Sequence, residues 1–354
     1  MPAYGADGKT VATRRIRTAM IEVEARRQAT LSDVAAHASV SRATVSLVVR
    51  QSPLVAPGTR ERVEEAILAV GYVYNRGAAR LRTGLSGTIG VIVPEITNPF
   101  YAELTAGIDE TLDGAGRLAF LANSNESPKR QERFVRRIKE QGVDGLILCA
   151  AVGTSPALIA QIRAWRIPCV QILRTVDGVE GDFVGPDFRH GIAAAVGHLV
   201  ARHHTRIALL PSIKDTSASR DRVDSFVSSM RHHGLELGPI RACSSSWDAV
   251  AVEVGRLLDD GRPPTAFICH NDLMALSAAG ELTRRGATLG CGVSVIGFDD
   301  IPEASHAVPG LSTVATHPNE VGSRAADLVL RRIASPRSPY ERLLIEPQLI
   351  VRAT

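Results

Sequence analysis

From Thr88 onward the chain alternates short apolar runs with helical stretches, and this alternation restricts the fold more than any other feature. Ile89 to Val93, Leu118 to Ala122, Val143 to Cys149, Cys169 to Leu173, Arg206 to Leu210, Ala266 to Cys269 and Ser294 to Gly297 read as strands. Phe100 to Leu112 and Arg130 to Gln141 read as helices between them. Near-continuous apolar strands spaced by helices imply parallel sheets covered on both faces. So many units exceed one sheet. Two doubly wound lobes, meeting near Leu173 to Gly191 and again after Asp300, are the economical solution. A chain of 354 residues suits two or three domains.

Ligands in such sheets sit beyond the carboxyl ends of the strands. The residues there are polar and distinctive: Glu95 to Tyr101, Asn123 to Glu126, Arg174, Asp187, Arg220, Arg222, Trp247, Asp248, Asn271, Asp272 and Asp299.

The segment before this alternation has another character. Ala29 to Arg50 reads as two short helices around a tight turn at Ser39-Val40-Ser41. Thr30 caps the first helix, with Asp33 placed for a capping box. Leu31, Val34 and Ala35 recur at helical spacing, and Ser41 caps the second helix. Val40, Val45 and Val48 pack it on the first, leaving Arg42, Ala43 and Leu47 facing outward. This is the pattern of a helix-turn-helix, whose second helix reads base edges in the DNA major groove; an ordinary helical hairpin is the alternative. Thr59 to Val70 follows as a third amphipathic helix with Val63, Ile67 and Val70 inward, Pro57 in its first turn and Gly71 at its end. Val73 to Gly84 is a basic segment around one large apolar residue, Leu81.

The order ATLSDVAAHASVSRATVS, TRERVEEAILAVGY, AARLRTG and IGVIVPEITNPFYAEL resembles the LacI/GalR family of bacterial repressors, over about Thr30 to Arg352. The resemblance implies a helix-turn-helix domain at 29–72, a hinge at 73–87 and a two-lobed effector-binding and dimerisation core at 88–354. That core is of the periplasmic-binding-protein type, with chain crossings near 174–176, 298–302 and 333–340. The expected product is a cytoplasmic, homodimeric transcriptional regulator, a repressor by resemblance. Its partners are a pseudo-palindromic operator and a small sugar-like effector. A solute-binding protein sharing the core fold and a ligand-independent DNA binder are the alternatives.

Residue by residue, the resemblance places Arg42, Ala43 and Leu47 at base-reading positions. Arg42 can donate two hydrogen bonds to guanine; holding a phosphate is its other possible role. Thr44 and Ser46 bind phosphate or pack, and Thr30 and Ser32 meet phosphate at a helix N-terminus. Leu81 matches a hinge leucine that wedges into the minor groove, with Ala78 against the groove floor and Asn75 capping the hinge helix. Asp272 and Arg222 match the principal effector ligands, and Phe100, Tyr101 and Trp247 the pocket walls. Asn271 and Asp187 complete the expected site. The chain departs from the family pattern at Tyr74, Gly77, Leu173, Phe188 and Ser225. An anionic effector is the alternative to a neutral sugar, on the strength of Arg220 and Arg222.

Charge agrees with this division. Residues 1–85 hold 13 Lys/Arg against 7 Asp/Glu, and the rest 28 against 30. A basic module on a near-neutral body is the footprint of a nucleic-acid binder. Residues 1–28 lie outside the family pattern and read either as a disordered basic arm or as residues preceding a start at Met20. They lack the apolar stretch of a secretory signal, and no apolar run reaches membrane-span length. The five cysteines are widely spaced, without a CxxC pair, and read as free thiols in a reducing compartment. No metal site, cofactor or enzymatic activity is expected: GxSxG, P-loop and HExxH motifs are missing, and Gly290-Cys291-Gly292 fails the dinucleotide fingerprint. The chain ends at Val351-Arg352-Ala353-Thr354 without a leucine heptad, so dimers are expected. Phe100 to Leu112 and the 271–285 region would supply their apolar faces.

Overall fold

Among the described residues, three helices form the first unit: α1 (Leu31–Ala38), α2 (Arg42–Val49) and α3 (Pro57–Val70). The computed structural model describes residues 29–73 and 84–354, in two units that divide the chain at Arg82 and Thr83. Thr30 and Asp33 make a reciprocal capping box at α1, and Ser41 Oγ accepts from Thr44 N at 3.0 Å to start α2. Pro57 opens α3, where its missing N–H has no partner to lose. Val34, Ala35, Ala38, Val45, Val48, Val63 and Ala66 are buried together, with Leu31, Val40, Ile67 and Val70 half-buried around them. The inner face of α3 is therefore centred on Val63 and Ala66, and Ile67 and Val70 sit at its border. The expectations for Asn75, Ala78 and Leu81, and for residues 1–28, lie outside the described residues.

The second unit has two lobes. Lobe 1 comprises β1 (Thr88–Val93), α4 (Pro99–Gly114), β2 (Leu118–Asn123), α5 (Pro128–Gln141), β3 (Gly145–Leu148), α6 (Pro156–Ala164), β4 (Cys169–Ile172) and β5 (Asp182–Pro186). Lobe 2 comprises α7 (Phe188–Ala201), β6 (Ile207–Leu210), α8 (Ser217–His232), α9 (Trp247–Leu258), β7 (Ala266–Cys269), α10 (Asp272–Arg284), β8 (Ser294–Asp299), α11 (Pro302–His306) and β9 (Ser312–Ala315). The chain returns to lobe 1 for α12 (Pro318–Ala334) and β10 (Arg342–Ile345), then to lobe 2 for β11 (Gln348–Ile350).

Sheet 1 runs β10-β5-β4-β3-β1-β2 and sheet 2 runs β11-β9-β8-β7-β6. All neighbours are parallel except β11, which is antiparallel to β9. Helix α12 packs on α4 and the face of β3, β4 and β5. The buried pair Arg332–Asp182, 2.7 Å from Nε to Oδ2, ties α12 to β5.

The crossings fall at Asp187, at 316–317 and at 346–347, each one strand later than the sequence suggests. The delaying strands are β5, β9 and β10. DFVGP, STVA and RLLI are short and begin with polar residues, and DFVGP ends in Gly-Pro, so each offers at most three consecutive apolar residues, too few to betray a parallel strand. The helices expected to offer apolar dimer faces spend them internally: Phe100, Leu104, Ile108 and Leu112 of α4, and Met274, Ala275, Ala278 and Leu282 of α10, are buried in the core. Exposed apolar side chains gather instead on edge strand β2, at Leu118, Phe120 and Leu121. No helix among the described residues is long and apolar enough to cross a membrane.

Candidate functional site

Two surfaces carry the expected residues, one in each unit. In the first, Arg42 and Ala43 are exposed in the first turn of α2, while Thr44, Ser46 and Leu47 are half-buried. Thr44 keeps its hydroxyl on Ser41 Oγ at 2.8 Å, and Ser46 Oγ accepts from Arg50. These hydroxyls thus have intrahelical partners. Thr30 is committed to its capping box, and Ser32 is exposed beside it in the first turn of α1.

In the second unit the strand ends of both sheets face a common cleft. It is lined from lobe 1 by Asn98, Phe100, Tyr101, Cys149, Leu173 and Arg174, and from lobe 2 by Phe188, Thr216, Ala218, Arg222, His270, Asn271 and Asp299. Asn98 caps α4, its Oδ1 accepting from Phe100 N at 3.0 Å. The cap holds the first turn so that Phe100 and Tyr101 meet edge to face, 5.2 Å between ring centres. Asn271 caps α10 in the same way, on Met274 N at 3.0 Å.

Arg174, two residues after β4, donates from Nη2 to Glu126 Oε1 at 2.9 Å. Burial opposes the charge of Glu126, but Arg174 and then Lys214, whose Nζ lies 3.3 Å away, hold its carboxyl below the usual range. Arg222 is buried on α8, its guanidinium stacked 3.7 Å from the Phe188 ring centre. Burial pushes it down to about 10, with Asp299 opposing. Asp299 is itself pushed well up by burial and by Asp272. His270 is held well below its ordinary value, by burial first and then by Arg222, Lys214 and Arg174, so its imidazole is neutral. Three nitrogens in this lining have no hydrogen-bond partner among the described residues: Arg174 Nε, Arg222 Nε and His270 Nδ1.

Phe100, Tyr101, Arg222 and Asn271 are thus brought together as expected, and Asp272, Trp247 and Asp187 are not in the lining. Asp272 is fully buried behind it. Its Oδ2 accepts from Ile301 N at 2.9 Å and its Oδ1 from Thr313 Oγ1 at 2.5 Å. Gly297 makes room for this: a Cβ there would lie 2.0 Å from Oδ1. Burial raises the Asp272 carboxyl to about 7. Trp247 lays its ring over α10, where a Cβ on Gly280 would lie 2.1 Å from it, and remains 52 % exposed. Asp187 caps α7, its Oδ1 accepting from His190 N at 3.0 Å. Arg220 lies outside the lining and bridges Asp177 of lobe 1 and Asp215, at 2.5 and 2.6 Å.

The lining adds Arg174, Asp299, His270 and Phe188 to the expected set. Arg174 and Asp299 were legible as polar residues at strand ends. His270, the first residue after β7, carried the same signal and was passed over, and Phe188 stood out only as a departure from the family pattern.

Residues 30–75 match the family model described as bacterial regulatory proteins, lacI family. Residues 86–353 match periplasmic binding proteins and sugar binding domain of LacI family. The chain belongs to the LacI family. Among curated LacI relatives, the maltose regulon regulatory protein MalI of Escherichia coli K12 is 31 % identical, covering 91 % of this chain and 97 % of its own. The transcriptional repressor PurR of Aliivibrio salmonicida is 29 % identical over 92 % and 98 %. Among solved structures, a lac repressor dimer bound to operator and the anti-inducer ONPF superposes with a TM-score of 0.82. It is 27 % identical and covers 93 % of this chain and 99 % of that one. A complex of the regulator CelR with cellobiose gives 0.70 at 30 % identity, over 92 % and 99 %. This LacI-family chain is accordingly a DNA-binding transcriptional regulator, with a helix-turn-helix unit and a periplasmic-binding-protein-like core.

Proposed function

We propose that this regulator is a cytoplasmic repressor that binds a pseudo-palindromic operator as a homodimer and releases or tightens its grip when a small polar effector enters the cleft. The carrying observation is the set of buried nitrogens in that cleft, the donors Arg222 Nε and Arg174 Nε with the ring nitrogen His270 Nδ1, which have no protein partner among the described residues. A buried polar group left unmatched costs about 1–3 kcal/mol, so a cleft that gathers three, two of them obligate donors, is organised around a polar ligand. Repression and operator binding draw on the lac repressor and PurR likeness, and a sugar-like effector on the cellobiose complex. The apolar edge of β2 supports self-association, since an uncovered edge strand invites a partner.

The test begins with operator selection from a randomised duplex pool. A two-fold-symmetric site is expected. Arg42→Ala should cost about 1–3 kcal/mol at one base position in each half-site and relax preference there. An effector bound in the cleft should change operator affinity about 5- to 150-fold. Equal weakening of every sequence by Arg42→Ala would assign that side chain to phosphate. An asymmetric consensus would rule out the dimer.

A further inference from the structure

We propose that Asp144 is a positioning residue for operator binding: it fixes where the chain from the helix-turn-helix unit enters lobe 1, and so sets the half-site separation that the regulator accepts. The inference rests on the reading of the protein as a dimer on a two-fold operator.

Ser86 and Gly87 are the last residues before β1, on the side of the chain that leads back to the DNA-reading helices. They belong to a turn with two left-handed glycines, Gly84 and Gly87, at φ 73° and 74°. Strand pairing starts at Thr88, so the turn takes its hold from elsewhere. That hold is one carboxylate. Asp144 Oδ1 accepts from Ser86 N at 2.7 Å and from Ser86 Oγ at 3.1 Å. Its Oδ2 accepts from Gly87 N at 2.8 Å and from Arg117 Nη1 at 2.7 Å. Ser86 Oγ in turn accepts from Thr88 N at 3.1 Å. Hydrogen bonds to an ionised acceptor are about twice as strong as neutral ones, and the Asp144 side chain is only 2 % exposed, which keeps water from competing.

The clamp stands on a rigid base. Asp144 comes one residue before β3 and donates its N–H to the Thr88 carbonyl at 2.9 Å, and Arg117 comes one residue before β2. The entries of β1, β2 and β3 are thus tied at one point. Beside it, a Cβ on Gly145 would lie 2.8 Å from Val329 of α12, so the start of β3 has no slack. The same strand leads to Cys149 in the cleft lining. Clamp and cleft therefore occupy opposite ends of one buried strand.

Two DNA-reading units on fixed anchors bind as a linked pair, and the gain from linkage is lost when the sites do not fit the anchors. One base pair inserted between half-sites moves them about 3.4 Å apart and turns one about 35° relative to the other. A fixed anchor makes that step costly, and a loose one absorbs it.

The test uses the full chain and the two-fold operator selected from the randomised pool, with its centre intact or changed by one or two base pairs in each direction, and a duplex holding a single half-site. Binding is read by fluorescence anisotropy at constant salt. The parent should prefer one spacing about tenfold over its neighbours and bind it about a hundredfold tighter than the single half-site. Asp144→Ala should weaken the preferred duplex about tenfold and bring all spacings within about threefold, with the single half-site unchanged. Arg117→Met tests for a merely structural role. It removes the ion pair from the same carboxylate but leaves the turn's donors in place, so it should lower the urea midpoint and keep the parent's spacing profile. Asp144→Asn, which keeps the shape and loses one acceptor, should flatten the profile in the same direction and carries the test if Asp144→Ala does not fold. A flat profile in the parent, an unchanged profile in the Asp144 variants, or equal flattening by Arg117→Met overturns the inference and leaves the dimer standing. An asymmetric consensus, or a single half-site bound as tightly as the full operator, overturns both.

Discussion

The cleft is bounded by two arginines that the fold treats in opposite ways. On lobe 1, Arg174 has Glu126 at 2.9 Å, and Lys214 reaches the same carboxylate from lobe 2. On lobe 2, Arg222 has an aromatic ring and a carbonyl. The first guanidinium has its charge met by an ion pair before anything binds. The second has no carboxylate at ion-pair distance among the described residues and feels only the more distant Asp299. Two residues of one type, facing one cavity and each with an Nε that has no partner among the described residues, thus differ in how far their charge is met, and what decides is a carboxylate at ion-pair distance.

The largest expected effect comes from the group behind the lobe 2 wall. Asp272→Ala strips acceptors from Ile301 N and Thr313 Oγ1 and should lower stability by about 3 kcal/mol in urea unfolding. Ligand affinity of the folded variant should hardly change. A variant of normal stability that has lost its ligand would place Asp272 in the cleft. The same carboxyl predicts a pH dependence. Its proton is held to about 7 in the folded chain against an ordinary 3.8. The native state therefore binds more protons across that window, and stability falls as pH rises from 3.8 toward 7, then levels off. Unfolding midpoints of Asp272→Asn should show a shallower slope than the parent chain.

A pair of matched substitutions tests the walls directly. Arg174→Met should cost about 1–3 kcal/mol, because it removes one partner of a half-buried carboxylate. Arg222→Met should lie within about 1 kcal/mol of the parent, or above it, in the absence of ligand, because an unmatched buried charge is replaced by apolar volume. Equal losses in the two variants would break the distinction.

The smallest effect concerns the rim. Arg220 bridges the lobes through Asp177 but is half-exposed. Arg220→Ala should therefore change stability by less than about 1 kcal/mol, and by less again in high salt. A larger, salt-insensitive loss would make the rim, and not the walls, the main tie between lobes.

Local chemistry made much of this readable in advance. Thr30, Asp33 and Ser41 announce the helix-turn-helix because capping depends on residues three apart, and continuous apolar runs announce β1, β3, β6 and β7. The strands β5, β9 and β10 were illegible because their stability comes from neighbours in the sheet. The cleft was half legible. Arg222 and Asn271 face it, but Asp272 and Trp247, adjacent in sequence to residues that line or approach strand ends, turn away. What turns them is the absence of a side chain at Gly297 and at Gly280, far along the chain, where neither spacing nor periodicity gives notice.

The interleaving of the lobes governs what emerges first from the ribosome. The three described helices of the helix-turn-helix unit are complete once the chain passes Val70, and their contacts are local, which favours rapid closure. Lobe 1 waits for β10, at Arg342–Ile345, and lobe 2 for β11, at Gln348–Ile350. Beyond that, Thr354 Oγ1 still has to accept from Ser312 N and donate to the Val295 carbonyl, at 2.8 and 2.7 Å. Through most of its synthesis the chain therefore carries a finished DNA-reading head ahead of two unfinished sheets, whose bare apolar faces are the natural clients of chaperones.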